Sequence, residues 1–107
     1  IIAHPFGVHL GKRGAYPLDF KEVCKAAVDH NVVMEINSFA IRLDLNSNNA
    51  YFSKEEGVKF VINTDAHRVE HMGYMPFGIK VARRAWLTKD DVVNTKSVTD
   101  FLRIMSK

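Results

Sequence analysis

The chain has 107 residues, 47% of them hydrophobic, and a formal charge of +3 at pH 7. This length suits one small domain, and the hydrophobic fraction is enough for a packed core. No apolar run reaches the roughly 18 residues of a membrane-spanning helix, and Cys24, the only cysteine, excludes an internal disulfide scaffold. The free thiol is typical of a reducing cytoplasm. The charge permits contact with polyanions without requiring it.

Three short apolar runs are predicted to form buried parallel strands. They are Ile1–Ala3, Val32–Asn37 and Val58–Thr64, each rich in Val and Ile or bounded by turn residues. The chain begins inside the first run and without Met. We therefore expect a fragment of a longer protein.

Helical patterns fill the intervals between these runs. Asp19 and Glu22 resemble a capping box at the start of the first helix, whose apolar stripe contains Cys24. Cys24 is therefore interpreted as an inert core thiol. Further helices are predicted over Asn48–Glu56 and Pro76–Trp86.

A last helix is predicted from a second capping pattern, Ser97 with Asp100. Its expected buried stripe is Val98, Phe101, Leu102 and Met105. The resulting order, β-α-β-α-β-α-α, predicts an α/β fold of parallel-sheet βα units with right-handed crossovers.

Side chains that can bind metals lie where the predicted strands end. Because the carboxyl ends of parallel strands share one edge, His4, Asp65 and His67 are expected at a single site. In an extended segment Asp65 and His67 point to the same side and could hold Zn²⁺, Mn²⁺ or Fe²⁺. The alternatives are that Asp65 caps the next helix and that the histidines are ordinary structural residues.

Polar residues of the second run have several possible roles. Glu35 alternates with apolar neighbours, and a buried carboxylate must be paired. It could be a metal ligand, the partner that orients a histidine, or the partner of Arg42, and we favour the orienting role. Asn37 could donate to a phosphate oxygen or form a strand-end turn.

Basic and aromatic residues suggest contacts to phosphates and bases. Arg13 lies in the Gly-containing loop Phe6–Pro17, Arg42 follows the second run, and Arg83 and Arg84 share a helix face with Lys80. Tyr16, Phe39 and Tyr74 could stack on bases, although packing is the safer interpretation. His71 has helical spacing from His67, but Met72 and Gly73 make a helix there doubtful.

Five segments together resemble a known family: IIAHP, EIN, RLDL, EEGVKFVINTDAH and FGIKVARRAWLTKDDVVNT. They are similar to the C-terminal half of the PHP (polymerase and histidinol phosphatase) domain of bacterial and archaeal family X DNA polymerases. The resemblance implies that residues 1–107 are a C-terminal fragment of one PHP domain, a distorted (β/α)7 barrel. It also implies phosphoester hydrolysis, with 3′–5′ exonuclease action and end processing in DNA repair.

The same resemblance assigns roles to residues. His4, Asp65 and His67 would be metal ligands, and Asp65 and His67 would also be catalytic. Glu35 and Asn37 would support these ligands without binding the metal themselves. The implied cofactor is a divalent metal ion, Mn²⁺ first and Zn²⁺ or Fe²⁺ next, and the implied substrate is DNA.

The family's other ligand motifs are absent from this sequence. The implied partners are therefore the N-terminal PHP half and the polymerase domain of the same polypeptide. We expect no robust catalysis from the fragment alone and self-association through its unpaired sheet edge. Where the family usually has an arginine-led turn after the segment HPFG, this chain has Val8 and His9. Arg13 could replace the substrate contact of the missing arginine. The alternatives are a degenerate structural or DNA-binding scaffold and a free-standing phosphatase of the histidinol-phosphate kind.

Overall fold

The computed structural model describes residues 1–106. They form two strands, four α-helices and two 3-10 helices: α1 (Phe20–Asp29), β1 (Met34–Asn37), α2 (Ser47–Glu55), β2 (Phe60–Asn63), a first 3-10 helix (Val69–Tyr74), α3 (Met75–Arg84), a second 3-10 helix (Val93–Thr95) and α4 (Val98–Met105). No helix in this part of the chain has the length and apolar character needed to cross a bilayer.

The sheet is parallel, as the sequence predicts. β1 and β2 pair in a register that places Met34 beside Phe60 and Asn37 beside Asn63. The predicted strand Ile1–Ala3 is reduced to a single bridge between Ile2 and Met34 on the outer edge of β1. A second bridge, between Phe60 and Val92, extends the other edge and was not predicted.

The two faces of the sheet are covered differently. Helices α1, α2 and α3 cover one face, where the core contains Cys24, Ala27, Met34, Ile36, Leu45, Ala50, Phe60, Ile62, Ala82 and Ala85. Val33, Val61 and Val93 form a smaller cluster beneath Phe101 and Met105 of α4. Because strand side chains alternate, Glu35 and Asn37 share the second face with Val33.

Side-chain caps fix the helix starts. Asp19 accepts a hydrogen bond from the Glu22 N–H, and Ser97 accepts one from the Asp100 N–H, so both predicted caps are confirmed. Asn46 caps α2 through the Asn49 N–H, which starts that helix one residue earlier than predicted.

The predicted buried stripe of the last helix is partly wrong. Phe101 and Met105 pack on the valine cluster, but Val98 is 76% exposed and Leu102 is 59% exposed. The cluster offers three valines only, so it covers one side of α4 and leaves the other apolar residues uncovered.

Two positions show how closely the elements approach. Cys24 is fully buried, with its Sγ 3.4 Å from the Ser53 hydroxyl, and burial raises the pKa of the thiol, as expected of an inert core cysteine. A Cβ at Gly78 would collide with the Ser38 hydroxyl and the Ile62 side chain. This glycine therefore allows α3 to lie against the sheet near its carboxyl edge.

Candidate functional site

Hydrogen bonds connect three of the predicted polar residues at the carboxyl edge of the sheet. The Asn37 amide donates to the Glu35 carboxylate at 3.2 Å and to the Asp65 carboxylate at 3.3 Å. The backbone N–H of His4 donates to Glu35 at 2.8 Å. The strand ends and the loop that carries His4 are thus joined: Asn37 contacts Asp65 directly, and the His4 backbone is linked to Asn37 through Glu35.

Glu35 is the hub of this network. Its side chain is buried, and one carboxylate accepts from the His4 backbone, from Asn37 and from Asn63. Three donors satisfy a carboxylate that would otherwise be costly to bury. Arg42 pairs with Asp65 instead of Glu35, so the suggested Glu35–Arg42 ion pair is wrong.

Asn63 belongs to the network and was missed from the sequence. It donates to Glu35 at 3.0 Å and lies directly beside Asn37 in the register of β1 and β2. A signal existed, because both strands end in Ile-Asn, at positions 36–37 and 62–63. Two identical strand ends in a parallel pair place their amides side by side.

Asp65 stands at the exposed side of the network. Its carboxylate lies 3.3 Å from the Arg42 guanidinium and is partly exposed. The backbone of Asp65 has a φ of 54°, so the predicted extended Asp-x-His segment is wrong. The following 3-10 helix has Arg68 at its N-cap, so Asp65 does not cap it.

His67 nevertheless lies next to Asp65. The turn brings the His67 Nδ1 to 2.7 Å from the Asp65 carbonyl and 3.9 Å from its carboxylate. The imidazole is largely exposed, with 72% of its side-chain surface accessible. The two predicted ligands are neighbours through a tight turn.

His4 adopts a left-handed backbone with a φ of 30°. Such conformations are costly for non-glycine residues and concentrate at functional sites. The segment after His4 is fixed by Asp44, whose carboxylate accepts from the N–H groups of Phe6 at 3.0 Å and Val8 at 3.3 Å. The His4 loop is therefore held by two buried carboxylates, Glu35 and Asp44.

Asp44 was not singled out in the sequence. It is 2% exposed, and burial raises its pKa despite hydrogen bonds from the backbone and the proximity of His4. The alternation of polar and apolar residues in RLDL does not indicate that Asp44 is buried. Its burial depends on the return of the chain after Phe39, which no local pattern predicts.

The four arginines that were predicted to bind phosphate occupy three separate places. Arg42 joins the edge to the preceding loop, since it also donates to the Val8 carbonyl at 3.3 Å. Arg13 donates to the Gly7 carbonyl and lies over the Tyr16 ring, within the loop itself. Arg83 and Arg84 lie in the last turn of α3, and the structure does not bring them to this edge.

Aromatic rings border the edge on the side of His67. Phe39, His71 and Tyr74 form ring contacts with centroid distances of 4.9 to 5.4 Å. The His71 Nδ1 accepts a hydrogen bond from the His67 N–H at 3.2 Å. His71 lies in the first 3-10 helix, which also includes Met72 and Gly73. Phe39 and Tyr74 are half-buried, and both contact the His71 ring.

The residues that the structure describes do not by themselves form a metal site. Within residues 1–106, no group of three or more His, Cys, Asp or Glu side chains is arranged to hold an ion. Asp65 and His67 are adjacent, whereas His4 contributes its backbone to the network. The donor types suit Mn²⁺, Zn²⁺ or Fe²⁺, but these residues alone do not form a closed site.

Comparison with known proteins identifies similar sequences. The chain is 38% identical over 100 residues to the DNA polymerase/3′–5′ exonuclease PolX of Bacillus subtilis strain 168, covering 94% of this chain and 18% of that protein. It is 32% identical over 102 residues to a probable phosphatase of Thermoanaerobacter sp. strain X514, covering 88% of this chain and 42% of that protein.

A probable phosphatase of Vibrio parahaemolyticus is 28% identical over 104 residues. No family model matches the chain. The chain therefore spans less than half of each of the first two relatives, namely 18% of PolX and 42% of the Thermoanaerobacter phosphatase. The similarity relates nearly all of this chain to a part of a DNA polymerase/3′–5′ exonuclease and to a part of a probable phosphatase.

Proposed function

We propose that this chain is part of a PHP-type phosphoesterase domain of a family X DNA polymerase, which hydrolyses DNA phosphodiesters in the 3′–5′ direction. The observation that carries the proposal is the hydrogen-bonded edge at which Glu35 and Asn37 connect the His4 loop to Asp65. The similarity to PolX over 94% of the chain supports the choice of nucleic acid as substrate.

The residues of the edge have distinct roles in this proposal. Glu35, Asn37 and Asn63 position His4 and Asp65, because their mutual hydrogen bonds fix both loops. Arg42 exchanges its contact with Asp65 for a phosphate oxygen of the substrate, a group that guanidinium binds well. Asp65 is released from that ion pair when the phosphate arrives.

The metal dependence is part of the proposal. His4, Asp65 and His67 would contribute to binding a divalent cation, Mn²⁺ first and Zn²⁺ or Fe²⁺ next, and the remaining ligands would come from the N-terminal part of a longer chain. Since residues 1–106 do not form a closed metal site, hydrolysis by the isolated chain is expected to be negligible.

A chimera tests this function directly. The segment of B. subtilis PolX that matches this chain is replaced by residues 1–107, and shortening of a 5′-labelled oligonucleotide is measured alongside nucleotide addition. We expect the chimera to retain exonuclease activity and Asp65→Asn to abolish it while nucleotide addition persists. Asp29→Asn, at the end of α1 and away from the edge, is the matched control. Full exonuclease activity in the Asp65→Asn chimera would contradict the proposal.

A second candidate is a phosphatase acting on small phosphate monoesters. The similarity to probable phosphatases, at 32% identity over 102 residues, favours it. Replacing the matching segment of that phosphatase by this chain distinguishes this function from DNA hydrolysis. If the chain belongs to a small-molecule phosphatase, the chimera should release phosphate from small monoesters and should not shorten the oligonucleotide.

A further inference from the structure

A second region with unused binding groups lies away from the strand-end network. It is a groove of about 540 Å³ between α2 and the end of α3, lined by Tyr51, Lys54, Glu55, Arg84 and Trp86 among others. We call it the Trp86 groove. Lys54 is in the last turn of α2 and donates to the Trp86 carbonyl at 2.9 Å.

The groove lies among the helices that cover one face of the sheet. Helices α2 and α3 cover the face of the central strand pair, whereas the sheet has its edges at Ile2 and Val92.

Trp86 is an unexpected residue for its backbone position. α3 ends in a Schellman motif, in which the Leu87 N–H donates to the Ala82 carbonyl and the Trp86 N–H to the Arg83 carbonyl. Trp86 occupies the left-handed position of this motif, with a φ of 58°, where glycine is normally preferred. The indole is also 74% exposed, so neither backbone geometry nor core packing accounts for a tryptophan.

The other groups of the groove are available for binding. Among residues 1–106, the Trp86 indole N–H, the Tyr51 hydroxyl and the Arg84 guanidinium make no hydrogen bond or ion pair. Tyr51 is 46% exposed. Two accessible aromatic rings thus stand beside an arginine that has no acidic partner.

The chemistry of the groove points to one kind of occupant. Aromatic faces next to arginine stack nucleobases, and this stacking tolerates any sequence. Arg84 and Lys54 provide positive charge for a phosphate against the single carboxylate of Glu55, and Arg83 adds a further exposed cation in the same turn of α3. A neutral or basic peptide would gain nothing from these cations.

We infer that the Trp86 groove binds single-stranded nucleic acid, with a base stacked on Trp86 and Tyr51 and the adjoining phosphate held by Arg84. This contact is separate from the edge that carries Asp65 and adds affinity for a strand without taking part in hydrolysis. Its evidence is independent of the proposed function, and Asp65→Asn should leave it unchanged.

The single tryptophan makes the contact measurable. The 107-residue chain is titrated at low salt with a fluorescein-labelled oligothymidylate of about twelve nucleotides, within the usual site sizes. Trp86 fluorescence and oligonucleotide anisotropy are both followed. We expect Trp86 quenching upon binding. Trp86→Gly should weaken binding at least tenfold by anisotropy without lowering the melting temperature, and Trp86→Phe should retain most of the affinity.

Charge variants separate phosphate binding from general attraction. Arg84→Ala should weaken binding and reduce the salt dependence by about the contribution of one phosphate. Arg103→Ala removes the same charge from α4, on the other face of the sheet, and should leave Trp86 quenching intact. Both should be folded, because neither side chain is buried.

Three results would overturn the inference. The first is saturation of the oligonucleotide without quenching of Trp86. The second is equal affinity of the wild-type chain and a folded Trp86→Gly variant. The third is equally tight, Trp86-dependent binding of inorganic polyphosphate, which would indicate an anion site without base stacking.

Discussion

The carboxyl edge of the sheet and the Trp86 groove differ in how their polar groups are used. At the edge, Glu35 accepts three hydrogen bonds and Asp65 contacts Arg42 and Asn37. In the groove, the side chains of Trp86 and Tyr51 are exposed and make no hydrogen bond to another part of residues 1–106. The edge is organised to hold loops in place, whereas the groove presents exposed groups that are available to an added molecule.

This difference predicts opposite effects of mutation on stability. Removing a residue from the edge leaves buried donors without acceptors, which costs free energy. Removing Trp86 from the groove leaves nothing unsatisfied and relieves a left-handed backbone. The following variants test that contrast, from the largest expected effect to the smallest.

Glu35→Ala should produce the largest loss. It removes the acceptor that the His4 N–H, the Asn37 amide and the Asn63 amide share at a largely buried carboxylate, and of these donors Asn37 keeps its contact with Asp65. We expect the free energy of unfolding to fall by about 3–5 kcal/mol, measured by urea denaturation. Glu56→Ala, an exposed position at the C-cap of α2, should change it by less than about 0.5 kcal/mol. Equal effects of the two variants would show that Glu35 does not organise the edge.

Gly78→Ala tests the approach of α3 to the strand ends. A methyl group there meets Ser38 and Ile62, so helix and sheet must separate. A loss of about 1–3 kcal/mol in the free energy of unfolding is expected. Gly73→Ala is the control, because no atom lies within 4 Å of the added Cβ. If Gly78→Ala unfolds at the same urea concentration as Gly73→Ala, the close approach does not determine the packing.

Trp86→Gly should act in the opposite direction. Glycine relieves the left-handed conformation at the end of α3, and the lost indole buries little surface. We expect the free energy of unfolding to rise by about 1 kcal/mol. Trp86→Ala retains the strained backbone and should give no such gain. A loss of stability in Trp86→Gly would mean that the indole contributes to the fold.

Asp44 should give the smallest effect, seen as a pH dependence. Burial raises its pKa in the folded chain, so the folded state binds the proton more tightly than the unfolded state. The contribution of Asp44 to the free energy of unfolding is therefore fully present below the ordinary pKa of the carboxyl. It is lost as the pH rises through the raised pKa of the folded state. Asp44→Asn removes this titration.

Urea denaturation of both proteins between about pH 3 and 7 measures the effect, since the ordinary pKa of Asp is about 3.9. The stability of Asp44→Asn relative to the wild type should increase with pH across the raised pKa. A difference that is constant with pH would show that Asp44 titrates alike in both states.

The sequence was informative where signals are local. Val- and Ile-rich runs predicted the parallel pair, and the side chains of Asp19 and Ser97 predicted two helix starts. Placement of polar residues after strands predicted that Asn37 and Asp65 lie at the same edge, because parallel strands share one edge. The metal ligation of His4, Asp65 and His67 stays a prediction.

Prediction failed where the outcome depends on distant parts of the chain. The local pattern made Val98 and Leu102 core residues, but the valine cluster is too small to cover them. Trp86 was predicted to continue a helix, but α3 ends at Arg84 with Trp86 in the left-handed position. The burial of Asp44 depends on contacts with the loop after His4, 36 to 38 residues away.

By itself, the sequence determined the class of fold and the edge at which the polar residues gather, because strand composition, caps and strand-end positions act over a few residues. Only the tertiary structure decided which of these groups are paired. Register placed Asn63 beside Asn37, the chain return placed Asp44 beneath the His4 loop, and the packing of α2 against α3 left Trp86 exposed. Hydrogen-bond partners and exposure depend on what lies opposite a side chain in space, and neighbours in sequence do not specify it.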